Sequence, residues 1–82
     1  MKARVHVTYK PVVLDPQGEA VKGALHSLGF EEVEGARVGR VIELTLGGNP
    51  TRQEAEARVA AMCDRLLANP VIEDYALEIG EE

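Results

Sequence analysis

The stretch that decides the fold is residues 33–46, VEGARVGRVIELTL. Its second half alternates in the manner of a half-buried strand, because successive side chains of a strand point to opposite faces. One face would carry Ile42, Leu44 and Leu46, and the other Val41, Glu43 and Thr45. The first half contains Gly35 and Gly39, and these glycines leave two structures open.

In the first structure, Gly39 and Arg40 form the two-residue turn of a hairpin, and the chain reads βαββαβ, the ferredoxin-like arrangement. In the second, residues 33–46 form one long strand that bends near Gly35 and Gly39. That strand would span about 45 Å at about 3.3 Å per residue. Because this exceeds the width of so small a domain, its far half would need a second subunit to pair with. On this interpretation Gly39 tolerates a β-branched residue, whereas a hairpin turn would not.

The segments on either side predict two further strands and two helices. Residues 3–9 and 75–79 alternate as strands. Asp15 and Pro16 begin the first helix as N-cap and first helical residue. Thr51 and Glu54 form the capping box of the second helix, which Pro70 ends. Apolar stripes run along both helices: Ala20, Val21, Ala24, Leu25 and Leu28 in the first, and Ala55, Val59, Met62, Cys63, Leu66 and Leu67 in the second. The predicted fold class is α+β, an antiparallel sheet with two helices on one face. Its order is βαβαβ with a long bent central strand, or βαββαβ.

Composition limits the function. The 82 residues predict a single domain over residues 1–82, with a core so thin that oligomerisation is a common remedy. A net charge of −5 argues against nucleic acid and anionic membrane surfaces as partners. No apolar run approaches the roughly 20 residues of a membrane span, and the charged, alternating start is unlike a signal peptide. Since the single cysteine, Cys63, cannot form an internal disulfide, we expect a cytoplasmic protein.

The residues capable of chemistry do not form a recognisable catalytic set. His6 and His26 lack partners at metal-ligand spacing, and Cys63 lies on an apolar helical stripe, where a thiol behaves as a small hydrophobe. The Gly47–Thr51 stretch lacks the features of a Walker loop, and a capped helix start explains it better. We therefore predict no catalytic, cofactor-binding or metal-binding residues in this chain, and whether it has any activity alone stays open.

Two junctions between strand and helix carry more apolar residues than one small core can bury. The first is residues 11–14 and the second is residues 69–75. Arg37 and Arg40 flank Val38 and Gly39, and one of them is expected to face the buried side as a candidate for an interface ion pair. The candidate contacts with partners or other subunits are Pro11, Val12, Val13, Leu14, Arg37, Arg40, Asn69, Pro70, Glu73 and Tyr75.

Three stretches, residues 10–18, 36–44 and 66–75, resemble the PurS family, and the resemblance extends from about Val5 to Ile79. PurS proteins are the small subunits of bacterial and archaeal phosphoribosylformylglycinamidine synthase, in de novo purine synthesis. The resemblance implies a non-catalytic subunit that dimerises or forms tetramers. It would bridge a glutaminase subunit and a large ATP-dependent synthetase subunit and support ammonia transfer. ATP and magnesium would belong to the assembled complex and not to this chain. Because the resemblance implies an oligomer, it favours the long strand over the hairpin.

The alternative function is a ferredoxin-like regulatory domain that binds a small molecule. It would also lack catalytic residues, and genes for a glutaminase and a large synthetase beside this one would argue against it. A weaker alternative, a small acidic nucleic-acid-binding domain, is disfavoured by the scarcity of aromatic residues for stacking.

Overall fold

The computed structural model describes residues 1–80, and its elements follow the order βαβαβ. The strands are β1 (Lys2–Tyr9), β2 (Arg40–Thr45) and β3 (Glu73–Gly80). The helices are α1 (Pro16–Ser27) and α2 (Arg52–Met62), and α2 continues into a π-helical turn, Cys63–Leu67. No helix within the described residues has the length and apolar character needed to cross a membrane.

The sheet places β1 between β2 and β3, and both pairings are antiparallel. Its register sets Val5 opposite Ile42 on one side and opposite Leu77 on the other. The predicted α+β class and antiparallel sheet are confirmed.

The core lies between one face of the sheet and α2. Ala3, Val5 and Val7 alternate along β1 and are buried, as the period of two requires. Helix α2 supplies Ala55 and Val59, and it lies over the β3 side of the sheet. The capping box predicted for α2 is present. Glu54 N donates to Thr51 Oγ1 at 3.1 Å and Thr51 N donates to Glu54 Oε1 at 2.9 Å.

One residue of the apolar stripe predicted for the second helix was assigned wrongly, because α2 continues into the π-helical turn. Ala68 N donates to Cys63 O at 3.0 Å, five residues back, so this turn holds an extra residue. The extra residue rotates the stripe, and the buried positions run Val59, Cys63 and Ala68. Leu66, predicted to face the core, is 82% exposed.

The stretch at residues 33–46 is a strand only in its second half, β2. Within the described residues no strand lies between α1 and β2, so the ferredoxin-like hairpin is wrong. The first half of the predicted long strand, residues 33–39, has no strand partner in this single chain. The long-strand interpretation had required a second subunit for that half.

Helix α1 departs from the expected packing. Its N-cap is as predicted, because Asp15 Oδ1 accepts from Gly18 N at 2.9 Å. Yet among its twelve residues, all of them described, only Gly18 is buried. Val21 is 42% exposed and Leu28 is 73% exposed, so the predicted stripe is not covered by the chain's own sheet. The physical reason is that residues 15–39, which we call the arm, project from the sheet.

The dimensions of the molecule confirm the projection. The Cα radius of gyration is 16.1 Å, whereas a compact domain of this length has about 12 Å. The principal extents are 50 × 28 × 14 Å. Antiparallel neighbours such as β1 and β2 can be joined by a two-residue turn. The arm is therefore not needed to complete this sheet.

Candidate functional site

The two predicted junctions meet at one end of the sheet, because β1 ends beside the start of β3. Lys10 N donates to Ile72 O at 2.9 Å, and Lys10 Nζ lies 2.7 Å from Asp74 Oδ1. We call residues 10–14 and 69–74 the junction surface. Most of its apolar side chains are open to solvent: Val12 is 92% exposed and Val71 is 78% exposed, whereas Val13 is half-buried. Contiguous exposed apolar patches mark interaction surfaces.

The second junction is held in place by Glu73, which accepts hydrogen bonds from the Arg40 side chain and from the backbone of Asn69. Arg40 donates from Nη1 to Glu73 Oε2 at 2.9 Å and from Nη2 to Glu73 Oε1 at 3.2 Å. Asn69 N donates to Glu73 Oε1 at 2.7 Å. Arg40 Nη2 also donates to Leu67 O at 2.7 Å, which fixes the end of the π-helical turn. The Glu73 side chain is only 10% exposed. The Arg40 hydrogen bonds, followed by that from Asn69, hold the pKa of Glu73 below its ordinary value.

Arg40 was a candidate for an interface ion pair, and the structure places it in an ion pair within the chain. Arg40 and Glu73, both predicted as partner contacts, therefore form an internal clamp between β2, the π-helical turn and β3. Arg37 also makes a contact within the chain, because its guanidinium donates to Tyr9 O. The role of these three side chains toward partners stays a prediction.

A shallow depression of about 290 Å³ lies beside the clamp. It is lined by Lys10, Cys63, Asp64, Ala68, Pro70, Glu73, Asp74 and Tyr75. Tyr75 OH donates to Asp64 Oδ1 at 3.3 Å. Cys63 is fully buried, and burial, followed by the negative charge of Asp64, raises the pKa of its thiol. A buried, protonated thiol is a poor nucleophile, so the cysteine serves packing.

The other residues considered for chemistry are spread over the molecule. His6 Nε2 lies 3.4 Å from Glu78 Oε1 on the open face of the sheet, and His26 Nε2 lies 2.7 Å from Val33 O in the arm. Across residues 1–80 no three His, Cys, Asp or Glu side chains gather closely enough to hold a metal ion.

Sequence reasoning missed the second contact of Asp15. It predicted the cap, but Asp15 Oδ2 also accepts from Val38 N at 2.9 Å. These two backbone hydrogen bonds, Val38 first and Gly18 second, lower the pKa of Asp15. No local pattern signals a contact with a residue so distant in the chain, and only the three-dimensional course of the arm reveals it.

The fold and the site together define a class. This is a small α+β domain with an antiparallel sheet, a projecting helical arm and exposed apolar junctions, the construction of a chain that assembles with others. A family model described as "PurS: Phosphoribosylformylglycinamidine (FGAM) synthase" matches residues 2–81. The chain belongs to the PurS family.

Individual relatives agree. The phosphoribosylformylglycinamidine synthase subunit PurS of Bacillus subtilis (strain 168) is 46% identical over 80 residues, which cover 98% of this chain and 93% of the relative. The structure of Methanocaldococcus jannaschii PurS superposes with a TM-score of 0.86 at 34% identity, covering 99% and 96% of the two chains. A chain in the structure of PurLQS from Thermotoga maritima has a TM-score of 0.81 at 31% identity and covers 94% and 93%.

Proposed function

We propose that this chain is the small, non-catalytic subunit of phosphoribosylformylglycinamidine synthase in de novo purine biosynthesis. The observation that carries the proposal is the family match over residues 2–81. The Bacillus subtilis relative is a subunit of that synthase, and the Methanocaldococcus jannaschii protein is described as one of the subunits of formylglycinamide ribonucleotide amidotransferase in the purine biosynthetic pathway. The alternative of a small-molecule regulatory domain has no comparable support.

Within the synthase we assign the chain a bridging role between a glutaminase subunit and an ATP-dependent synthetase subunit. The assembly of the Thermotoga maritima relative in PurLQS supports partners of this kind. We assign the junction surface to these larger subunits, because its valines are exposed and lie together at one end of the sheet. ATP and magnesium would be bound by the larger subunits, and the complex would work in the cytoplasm.

We assign the arm to self-association. The stripe on α1 is exposed, residues 33–39 lack a strand partner, and the outer edge of β2 is open. Ile42 and Leu44 of β2 are only half-buried, since α2 lies toward β3. A second copy supplies what each of these features lacks: residues 33–39 of one chain pair with β2 of the other, and α1 covers the partner's apolar sheet face. Burying these surfaces would stabilise the dimer.

The test of the bridging role is a reconstituted synthase assayed with two nitrogen donors. Omission of this chain should abolish glutamine-dependent synthesis, because ammonia from the glutaminase then has no path to the synthetase. Synthesis from added ammonium should fall much less. Equal loss with both donors would contradict bridging.

Cys63→Ala provides the control for a hidden catalytic role. Since the thiol is buried, this change should lower the stability of the chain by about 1 kcal/mol and leave turnover of the assembled complex unchanged. Loss of turnover in a folded, assembled complex would show that the subunit takes part in the chemistry.

A further inference from the structure

The base of the arm is closed by one carboxylate that binds both ends of the arm. Asp15 lies where the chain enters the arm, and its Oδ1 caps α1 through Gly18 N at 2.9 Å. Val38 lies where the chain leaves the arm, and its N–H donates to Asp15 Oδ2 at 2.9 Å. The second bond joins residues 23 positions apart, so it is not needed for helix capping. Hydrogen bonds to an ionised carboxylate are stronger than those between neutral groups.

The chain approaches itself closely at the same place. A Cβ at position 18 would lie 2.3 Å from Ala36 O and 2.9 Å from Asp15 Oδ2, so only glycine fits there. Gly18 is buried although the rest of α1 is not. Arg37 adds a third connection, because it donates to Tyr9 O at the end of β1. The start of α1, residues 36–38 and the end of β1 are thereby held together.

We propose that Asp15 sets the orientation of the arm and, through it, the affinity of self-association. The inference rests on the proposed role of the arm in pairing two copies. An arm held only by its covalent connections would sample many directions, and each copy would lose that freedom on binding. Closing the base in advance removes this cost, which is the general effect of preorganisation on affinity. Asp15 is thus a positioning residue for the dimer as well as a helix cap.

The variant that separates the two roles is Asp15→Asn. Asparagine caps helices about as well as aspartate, so the helix content should stay the same. Gly18 N and Val38 N donate to different oxygens of Asp15. Asparagine keeps an oxygen at only one of these two positions, and its NH2 group would face the other N–H, so one of the two bonds is lost. Glu19→Gln is the matched control, since it removes the same charge from the first turn of α1 without touching Val38.

We expect Asp15→Asn to weaken dimerisation about tenfold or more in sedimentation equilibrium and to speed hydrogen exchange at the Val38 amide. Glu19→Gln should change neither. Gly18→Ala, which forces Ala36 O away while keeping the carboxylate, should weaken dimerisation as well. Circular dichroism and urea unfolding establish that each variant is folded.

The outcomes separate this inference from the proposed function. If the wild-type chain is monomeric at all concentrations, the proposed self-association is wrong, and Val38 exchange still reports whether Asp15 closes the base. If the wild type dimerises and Asp15→Asn dimerises equally tightly, Asp15 does not govern affinity. Unchanged Val38 exchange in Asp15→Asn would overturn the closure itself.

Discussion

Gly39 shows how a single residue can be constrained by a neighbouring strand. A Cβ built on it would lie 2.3 Å from the backbone oxygen of Val7 and 2.8 Å from Thr8 Cγ2. The backbone at Gly39 does not adopt a positive φ, so a side chain is excluded by lack of space and not by backbone conformation. The expectation that a strand position would tolerate a β-branched residue here is wrong for this reason.

We predict that Gly39→Val lowers the free energy of unfolding by about 1–3 kcal/mol, because β1 and β2 must move apart to admit the side chain. Gly35→Val is the matched control, since a Cβ there meets nothing within 4 Å. Its effect should stay within about 0.5 kcal/mol. Urea unfolding of both variants is the measurement, and equal losses would contradict the close approach at Gly39.

Glu73 gives stability a defined dependence on pH. Arg40 holds its pKa below the ordinary value of 4.5 in the folded chain, so the unfolded chain binds a proton at higher pH than the folded chain does. The stabilisation is therefore complete above pH 4.5 and is lost as pH falls through the lower pKa of the folded state. Acid should weaken the clamp.

Glu73→Gln should cost about 2 kcal/mol near neutral pH, since Arg40 and Asn69 lose a charged acceptor. The difference from the wild type should shrink as pH falls below 4.5. Glu43→Gln, which removes the exposed pair with Arg4 at 3.0 Å, should cost less than about 1 kcal/mol. Thermal unfolding from pH 3 to pH 7 tests this, and a pH-independent difference would show that the charge of Glu73 is unimportant.

At the scale of elements, the sequence determined local structure well. The caps at Asp15 and Thr51 and the alternation along β1 depend on near neighbours, and all were predicted correctly. Helical periodicity also predicted the apolar stripe on α1. It did not predict what would cover the stripe, because periodicity identifies an apolar face and not its partner. Leu66 was misassigned because a π-helical turn leaves no pattern in the residues.

For the candidate site, the sequence predicted the positions of the two junctions but not the contacts between distant residues. An excess of apolar residues pointed to both junctions, and they do meet at one end of the sheet. The pairing of Arg40 with Glu73 was not predicted, since it depends on β2 and β3 lying on either side of β1. Long-range geometry, and not local propensity, decides such contacts.

Helix α1 provides the test of self-association. Leu28→Glu places a charge on its exposed stripe and should shift the protein toward monomer without unfolding the sheet. Leu66→Glu is the matched control, because Leu66 is 82% exposed and lies outside the arm, against 73% for Leu28. Analytical ultracentrifugation distinguishes them. Equal dissociation by both variants would mean that the arm is not the dimer contact.

At the scale of the whole molecule, the chain carries two exposed apolar surfaces, which adjoin at the base of the arm. The arm, with its uncovered stripe, serves a second copy in our proposal, and the junction surface serves the larger subunits. Exposed apolar residues lie both in the arm, at Leu28, and in the junction surface, at Val12 and Val71. A bridging subunit needs both surfaces, because it must hold its own partner copy and another chain at the same time.

The junction surface can be tested at its most exposed side chains. Val12→Asp and Val71→Asp each put a carboxylate on a side chain that is 92% or 78% exposed in the free chain. Each should therefore fold and dimerise normally, since neither valine supports the core. Binding to the larger subunits should weaken by about tenfold or more, because an unpaired charge would be buried in the contact.

Val41→Asp is the control: that valine is 55% exposed but lies on β2, away from the junctions. Co-purification and titration with the two larger subunits measure the effect. If all three variants bind as the wild type does, the junction surface is not the docking site. If Val41→Asp alone fails although it dimerises as the wild type does, the open face of the sheet takes that role.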